Sequence, residues 1–86
     1  MSQNAPKVVD LLRAFAKLKQ QGNHTYLGLV DLLNDHLPQN RKIPMNTQGT
    51  SQMERWLKTE RETWQEPRGE VVLAIQEVLK EKGVTV

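Results

Sequence analysis

The sequence contains no cysteine, so disulfide bonds, thiol nucleophiles and cysteine ligands to zinc are all excluded. It also contains no apolar run near the roughly 20 residues that a transmembrane helix needs. Residues 1–7 lack the basic segment followed by an apolar one that marks a secretory signal. These absences predict a cytoplasmic protein with no membrane-spanning segment.

Residues able to perform catalysis are also scarce. His24 and His36 lie too far apart in sequence for the i, i+4 spacing of a helical metal site. The glycines match neither of the common phosphate-binding loop motifs, and Ser51 has no recognisable base partner. We therefore expect a protein that is not an enzyme, with no metal site and no cofactor.

What the sequence does contain is helical periodicity. Apolar residues recur at spacings of three and four in four segments, as in Leu11, Leu12 and Phe15 of the first. The fold class expected is all-α: a compact four-helix single domain over residues 1–86. The helices are predicted at about residues 6–20, 25–36 and 52–65, and from Pro67 to just before Gly83.

The predicted third helix is preceded by a long loop. Residues 38–49 include two prolines and a glycine, with Ile43 and Met45 as the only large apolar residues. Ser51 and Glu54 have the spacing of a capping box, which predicts that the third helix starts near Ser51.

The third predicted helix has a polar face with side chains suited to nucleic acid. If Met53, Trp56 and Leu57 face the core, Gln52 and Arg55 face solvent. Arginine pairs with guanine, glutamine pairs with adenine, and threonine, serine and free amides at a helix N-terminus bind phosphate. We predict base contacts from Gln52 and Arg55, and backbone contacts from Arg41, Lys42, Asn46, Thr47, Thr50, Ser51 and Lys58.

The run from Thr50 to Leu57 resembles the recognition helix of repressor-type helix-turn-helix domains, the Cro and CI-like group of phages and plasmids. Residues from Pro67 onward are similar to the helix that packs behind it. The resemblance, over about residues 47–86, implies a transcription regulator of a phage or other mobile element that inserts this helix into the major groove of double-stranded DNA. A homodimer is expected, because one small module buries little surface on DNA and two half-sites multiply affinity.

An alternative function belongs to another class, a protein–protein interaction module or inhibitor, such as a phage protein that blocks a host complex. Its interface would comprise the 38–50 loop, Trp64 and exposed apolar residues such as Val72 and Tyr26. Trp64 either packs over the corner between the third and fourth helices or anchors the partner. Binding to DNA would weaken steeply with salt, whereas binding through an apolar interface would hardly respond.

Overall fold

Four α-helices make up most of the computed structural model, which describes residues 7–22 and 24–84. They are α1 (Val8–Gln21), α2 (Tyr26–Asn34), α3 (Thr47–Leu57) and α4 (Gly69–Glu81), with a 3-10 turn at Gln39–Arg41. The described residues contain no strand, so the predicted all-α class is confirmed. The predicted first residue of helix 1, Pro6, lies outside the described ranges.

The helices share one apolar core. Both α1 and α2 pack against α3 and α4, so that the four helices enclose their apolar faces together. The spacing-based core of α1 is confirmed, since Leu11, Leu12 and Phe15 are buried. The other fully enclosed large side chains are Leu29, Val30, Leu33, Met53, Val71, Ile75, Val78 and Leu79. In the described ranges, no helix combines the length and the hydropathy that crossing a bilayer requires.

The connection between α2 and α3 runs from Asp35 to Asn46 and is fixed to the core at its middle. The buried side chain of Asn34 accepts a hydrogen bond from the Ile43 amide (2.8 Å) and donates one to the Ile43 carbonyl (3.0 Å). Ile43 itself is buried, which holds the segment in place as an apolar anchor. Leu37 is also buried in the core, and most of the other residues of the connection lie on the surface.

The start of α3 differs from the prediction. Asn46 is the N-cap, and its side-chain oxygen accepts hydrogen bonds from the amides of Gln48 (3.0 Å) and Gly49 (3.2 Å). The helix therefore begins at Thr47, one turn before the predicted start near Ser51. The capping-box prediction was wrong because Asn46, an equally good cap, lies upstream and places Ser51 inside the helix.

The end of α3 also differs, since the helix stops at Leu57 rather than near residue 65. Lys58, with φ −90° and ψ 74°, leaves the helical conformation. The indole N–H of Trp64 donates to the carbonyl of Trp56 (2.9 Å), which the helix end leaves without a continuing partner. The prediction failed because Trp64 lies eight residues after Trp56, a spacing that also fits one helical face.

Helix α4 starts two residues after the predicted Pro67 and ends as predicted. Gly83 adopts a positive φ of 74° just after the C-cap. The Gly83 amide donates to the Lys80 carbonyl (3.1 Å) and the Val84 amide donates to the Leu79 carbonyl (2.9 Å). This is the Schellman arrangement, in which glycine avoids the strain that a side chain would add.

Candidate nucleic-acid interface

The orientation of α3 about its axis is the first requirement for the predicted interface. Met53, Trp56 and Leu57 are buried, and Trp56 is only 3% exposed. On the other side of the helix Arg55 is exposed and Gln52 is partly exposed. The predicted inward and outward faces of α3 are therefore confirmed, and both proposed base-reading side chains reach solvent.

Three of the predicted site residues line one cleft on this outer face. Ser51 and Arg55 of α3 and its C-cap residue, Lys58, line a cleft of about 250 Å³. Two residues of the segment after α3, Arg61 and Thr63, complete its lining together with Glu54. We call this the α3 cleft. It places three basic side chains against one carboxylate and offers two hydroxyls as hydrogen-bonding groups.

The single carboxylate of the α3 cleft forms an ion pair along the helix. Lys58 Nζ lies 2.8 Å from Glu54 Oε2, across one helical turn. The hydrogen bond and the charge of Lys58, with a smaller contribution from Arg61, lower the pKa of Glu54 below its ordinary value of 4.5. Near neutral pH the carboxylate is therefore ionised and offsets part of the positive charge of the cleft.

Arg61 and Thr63 were not among the predicted site residues. They reach the cleft because the chain folds back after α3, with the Arg61 amide donating to the Lys58 carbonyl (3.2 Å) and the Trp64 amide donating to the Arg61 carbonyl (3.0 Å). One signal for Arg61 was available in the sequence, where basic residues recur at positions 55, 58 and 61. Nothing in the sequence pattern indicated Thr63.

The predicted site residues at the N-terminus of α3 differ from one another in their local hydrogen bonds. Asn46 and Thr47 are exposed, and the Thr50 hydroxyl donates to the Thr47 carbonyl (3.1 Å). The amides of Gln48 and Gly49 in the first turn are not free to bind phosphate, because the side chain of Asn46 already accepts a hydrogen bond from both. A phosphate at this end of the helix would therefore meet side chains rather than those two amides.

Arg41 and Lys42 do not line the α3 cleft. Arg41 Nη1 lies 3.9 Å from Glu70 Oε1 at the start of α4, and Arg68 Nε lies 3.7 Å from the same oxygen. Lys42 is exposed in the connection that precedes Ile43. The nine predicted residues therefore do not form one cluster, and the α3 cleft gathers only part of them.

The residues of the alternative interface are divided between core and surface. Trp64 is partly buried against the core and its indole N–H is hydrogen-bonded to Trp56, as in the corner-packing interpretation. Met45 is 49% exposed in the α2–α3 connection. A protein partner at this loop would meet Met45 rather than a free indole.

The histidines lie apart from the α3 cleft. His36 Nε2 is 3.2 Å from Glu81 Oε1, which joins the end of α2 to the last turn of α4. Within residues 7–22 and 24–84, no three His, Asp or Glu side chains are grouped so that they could hold a metal ion.

No protein-family model matches the chain, and neither the curated proteins nor the solved structures that were compared include a match.

Proposed function

We propose that the protein is a non-enzymatic, cytoplasmic transcription regulator of a phage or other mobile element that binds double-stranded DNA through α3. In this proposal the helix enters the major groove as in the Cro and CI-like domains that its sequence resembles, and a homodimer presents two such helices to two half-sites. Arg55 and Gln52 contact base edges, while Ser51 and Lys58 contact phosphates.

The observation that carries this proposal is the convergence of Arg55, Lys58 and Arg61 on one cleft beside the exposed face of α3. Arginine and lysine side chains gathered on one side of a helix attract the phosphate backbone and release its counterions. The hydroxyls of Ser51 and Thr63 line the same cleft and can donate to phosphate oxygens. The proposal adds Arg61 and Thr63 to the residues chosen from the sequence.

The length of the α2–α3 connection distinguishes this chain from the usual form of the motif. Twelve residues, Asp35 to Asn46, separate the two helices, whereas a helix-turn-helix commonly has a turn of about three or four. Because Asn34 fixes the middle of this connection to the core, its length does not by itself leave α3 free to move relative to α2. A short turn between α2 and α3 is therefore not required for α3 to be held in place as the reading helix.

The first test is the salt dependence of binding to DNA. A fluorescently labelled mixed-sequence duplex of about 20 base pairs, long enough for two half-sites, is titrated with protein at about 50 and 200 mM salt. We expect binding that weakens steeply with salt, because counterions are released from the duplex. Absence of binding, or an affinity that does not depend on salt, would overturn the proposal.

A matched pair of variants tests whether α3 forms the contact. Arg55→Ala is expected to weaken duplex binding, while Lys80→Ala removes a positive charge from the exposed side of α4 and is expected to leave binding unchanged. Both positions are exposed, so both variants are expected to melt within about 0.5 kcal/mol of the parent. Equal effects of the two substitutions on affinity would show that α3 is not the contact.

Sequence preference requires a separate measurement. Duplexes selected from a randomised library by the parent protein provide the preferred sequence, and Gln52→Ala is then compared on selected and mixed duplexes. We expect this variant to lose about 1–3 kcal/mol of discrimination, the usual value of one good side-chain contact with a base. A variant that keeps the full preference would exclude Gln52 as a base-reading residue.

A further inference from the structure

A second basic cleft lies between α1 and the C-terminal end of α3. It has a volume of about 380 Å³, and we call it the α1 cleft. Four basic side chains line it, with Glu60 as its one acidic residue. The basic residues are Arg13, Lys17 and Lys19 of α1 and Lys58 at the end of α3.

The two clefts are neighbours because Lys58 lines both. Together they gather six of the twelve basic residues of the chain and only two of its ten acidic ones, Glu54 and Glu60. The remainder of the sequence consequently has more acidic than basic residues, although the whole chain has a net charge of +2. Positive charge is thus concentrated on the surface that joins α1 to α3.

The basic side chains of α1 are available to an outside ligand. Among the described residues, no carboxylate forms an ion pair with Arg13, Lys17 or Lys19. Lys19 Nζ instead lies 4.7 Å from the centre of the Tyr26 ring, a cation–π contact that holds its ammonium beside the cleft. Arg13 and Lys17 are exposed.

We infer that the α1 cleft binds the phosphodiester backbone of the duplex whose major groove α3 enters, an inference that rests on the proposed function. The chemistry favours phosphate over base edges, because three of the four basic residues of the cleft are lysines, which act as point charges without the planar geometry that reads a base. The position also fits, since a helix lying in the major groove is flanked by the two backbones. The phosphate path would run from Arg61 across Lys58 to Lys17 and Arg13.

The test compares two double variants that remove the same amount of charge. Arg13→Ala with Lys17→Ala alters the α1 cleft, and Lys80→Ala with Lys82→Ala alters the exposed end of α4. The slope of log affinity against log salt is measured for each on the labelled mixed-sequence duplex, and circular dichroism melting checks the fold. If both α1 residues neutralise a phosphate, the first variant should reduce the magnitude of the slope by about 1.8.

The remaining outcomes separate this inference from the proposed function. A parent-like slope in the α1 variant, with duplex binding retained, would overturn the phosphate role of the α1 cleft and leave α3 as the reading helix. An equal loss of slope in the α4 variant would also overturn it, because the effect would then reflect total charge. If the parent itself binds no duplex, the proposed function fails and this inference fails with it.

Discussion

The side chain of Asn34 and the backbone of Ile43 form a two-point hydrogen-bonded pair inside the protein. Asn34 Oδ1 lies 2.8 Å from the Ile43 amide, and Asn34 Nδ2 lies 3.0 Å from the Ile43 carbonyl. Since Asn34 is 7% exposed, water cannot readily replace either bond. The pair sets the path of the chain from α2 to α3, and through it the position of the proposed reading helix.

Asn34→Ala is therefore expected to destabilise the protein by about 2–4 kcal/mol, because the buried N–H and C=O of Ile43 both lose their partner. Chemical denaturation measures the loss. Asn34→Asp provides a matched variant that keeps the acceptor but faces the Ile43 carbonyl with a second oxygen. Its destabilisation relative to the parent should be smaller at low pH, where the protonated carboxyl can donate, than at pH 7. A loss independent of pH would contradict the donor role of Asn34 Nδ2.

Gly49 of α3 lies directly against Pro44, near the end of the α2–α3 connection. A Cβ placed on Gly49 would lie 1.8 Å from the Pro44 carbonyl oxygen, a backbone atom that cannot rotate away. An alanine in a helix ordinarily stabilises it by about 0.5–1 kcal/mol relative to glycine. Here the clash should reverse the sign, and Gly49→Ala is expected to cost about 1–3 kcal/mol, the usual range for overpacking.

Gly69→Ala is the control for that substitution, because a Cβ at Gly69 meets no atom within 4 Å. It should leave the melting temperature unchanged or slightly raised, while Gly49→Ala lowers it. If both variants melt like the parent, the close approach of Pro44 to α3 does not exist in solution.

The sequence predicted the core and the outward face of α3 but not the limits of that helix. For Leu11, Leu12 and Phe15 the apolar spacing of three and four was enough to predict a buried helical face, and all three are buried. The limits of α3 instead depended on competing signals. Asn46 and Ser51 are both good caps, and in the structure the Asn46 side chain accepts from the amides of Gln48 and Gly49, so the helix begins at Thr47.

The part of the candidate interface that lies on α3 was predictable from the helical spacing of its apolar residues. Arg55 and Lys58 follow from the face of α3 that Trp56 leaves outside. Arg61 enters the α3 cleft because the chain folds back after Leu57, where the indole N–H of Trp64 is hydrogen-bonded to the Trp56 carbonyl. This bond joins α3 to the segment that follows it, but the eight-residue spacing of the two tryptophans also fits one helical face, so the sequence pattern predicted a helix that continues past Leu57.

Trp64→Phe tests that bond directly. The substitution keeps an aromatic ring against the core but removes the N–H that donates to the Trp56 carbonyl at 2.9 Å. We expect a loss of about 0.5–1.5 kcal/mol in the free energy of unfolding, the usual net value of one hydrogen bond. Amide exchange should also become faster between residues 58 and 64, because the segment after α3 loses its attachment. Parent-like exchange there would show that the indole does not hold the segment.

The ion pair in the α3 cleft gives a prediction that depends on pH. Lys58 lowers the pKa of Glu54 below 4.5, so the pair stabilises the folded state above the unfolded pKa and loses that effect as pH falls through the lowered value. Lys58→Met, which keeps an apolar stem without the charge, should raise the pKa of Glu54 toward its ordinary value. An NMR titration of the Glu54 carboxyl carbon measures the shift. Lys80→Met serves as the control and should leave that titration unchanged, and a Glu54 titration midpoint that does not move in Lys58→Met would show that the pair does not form in solution.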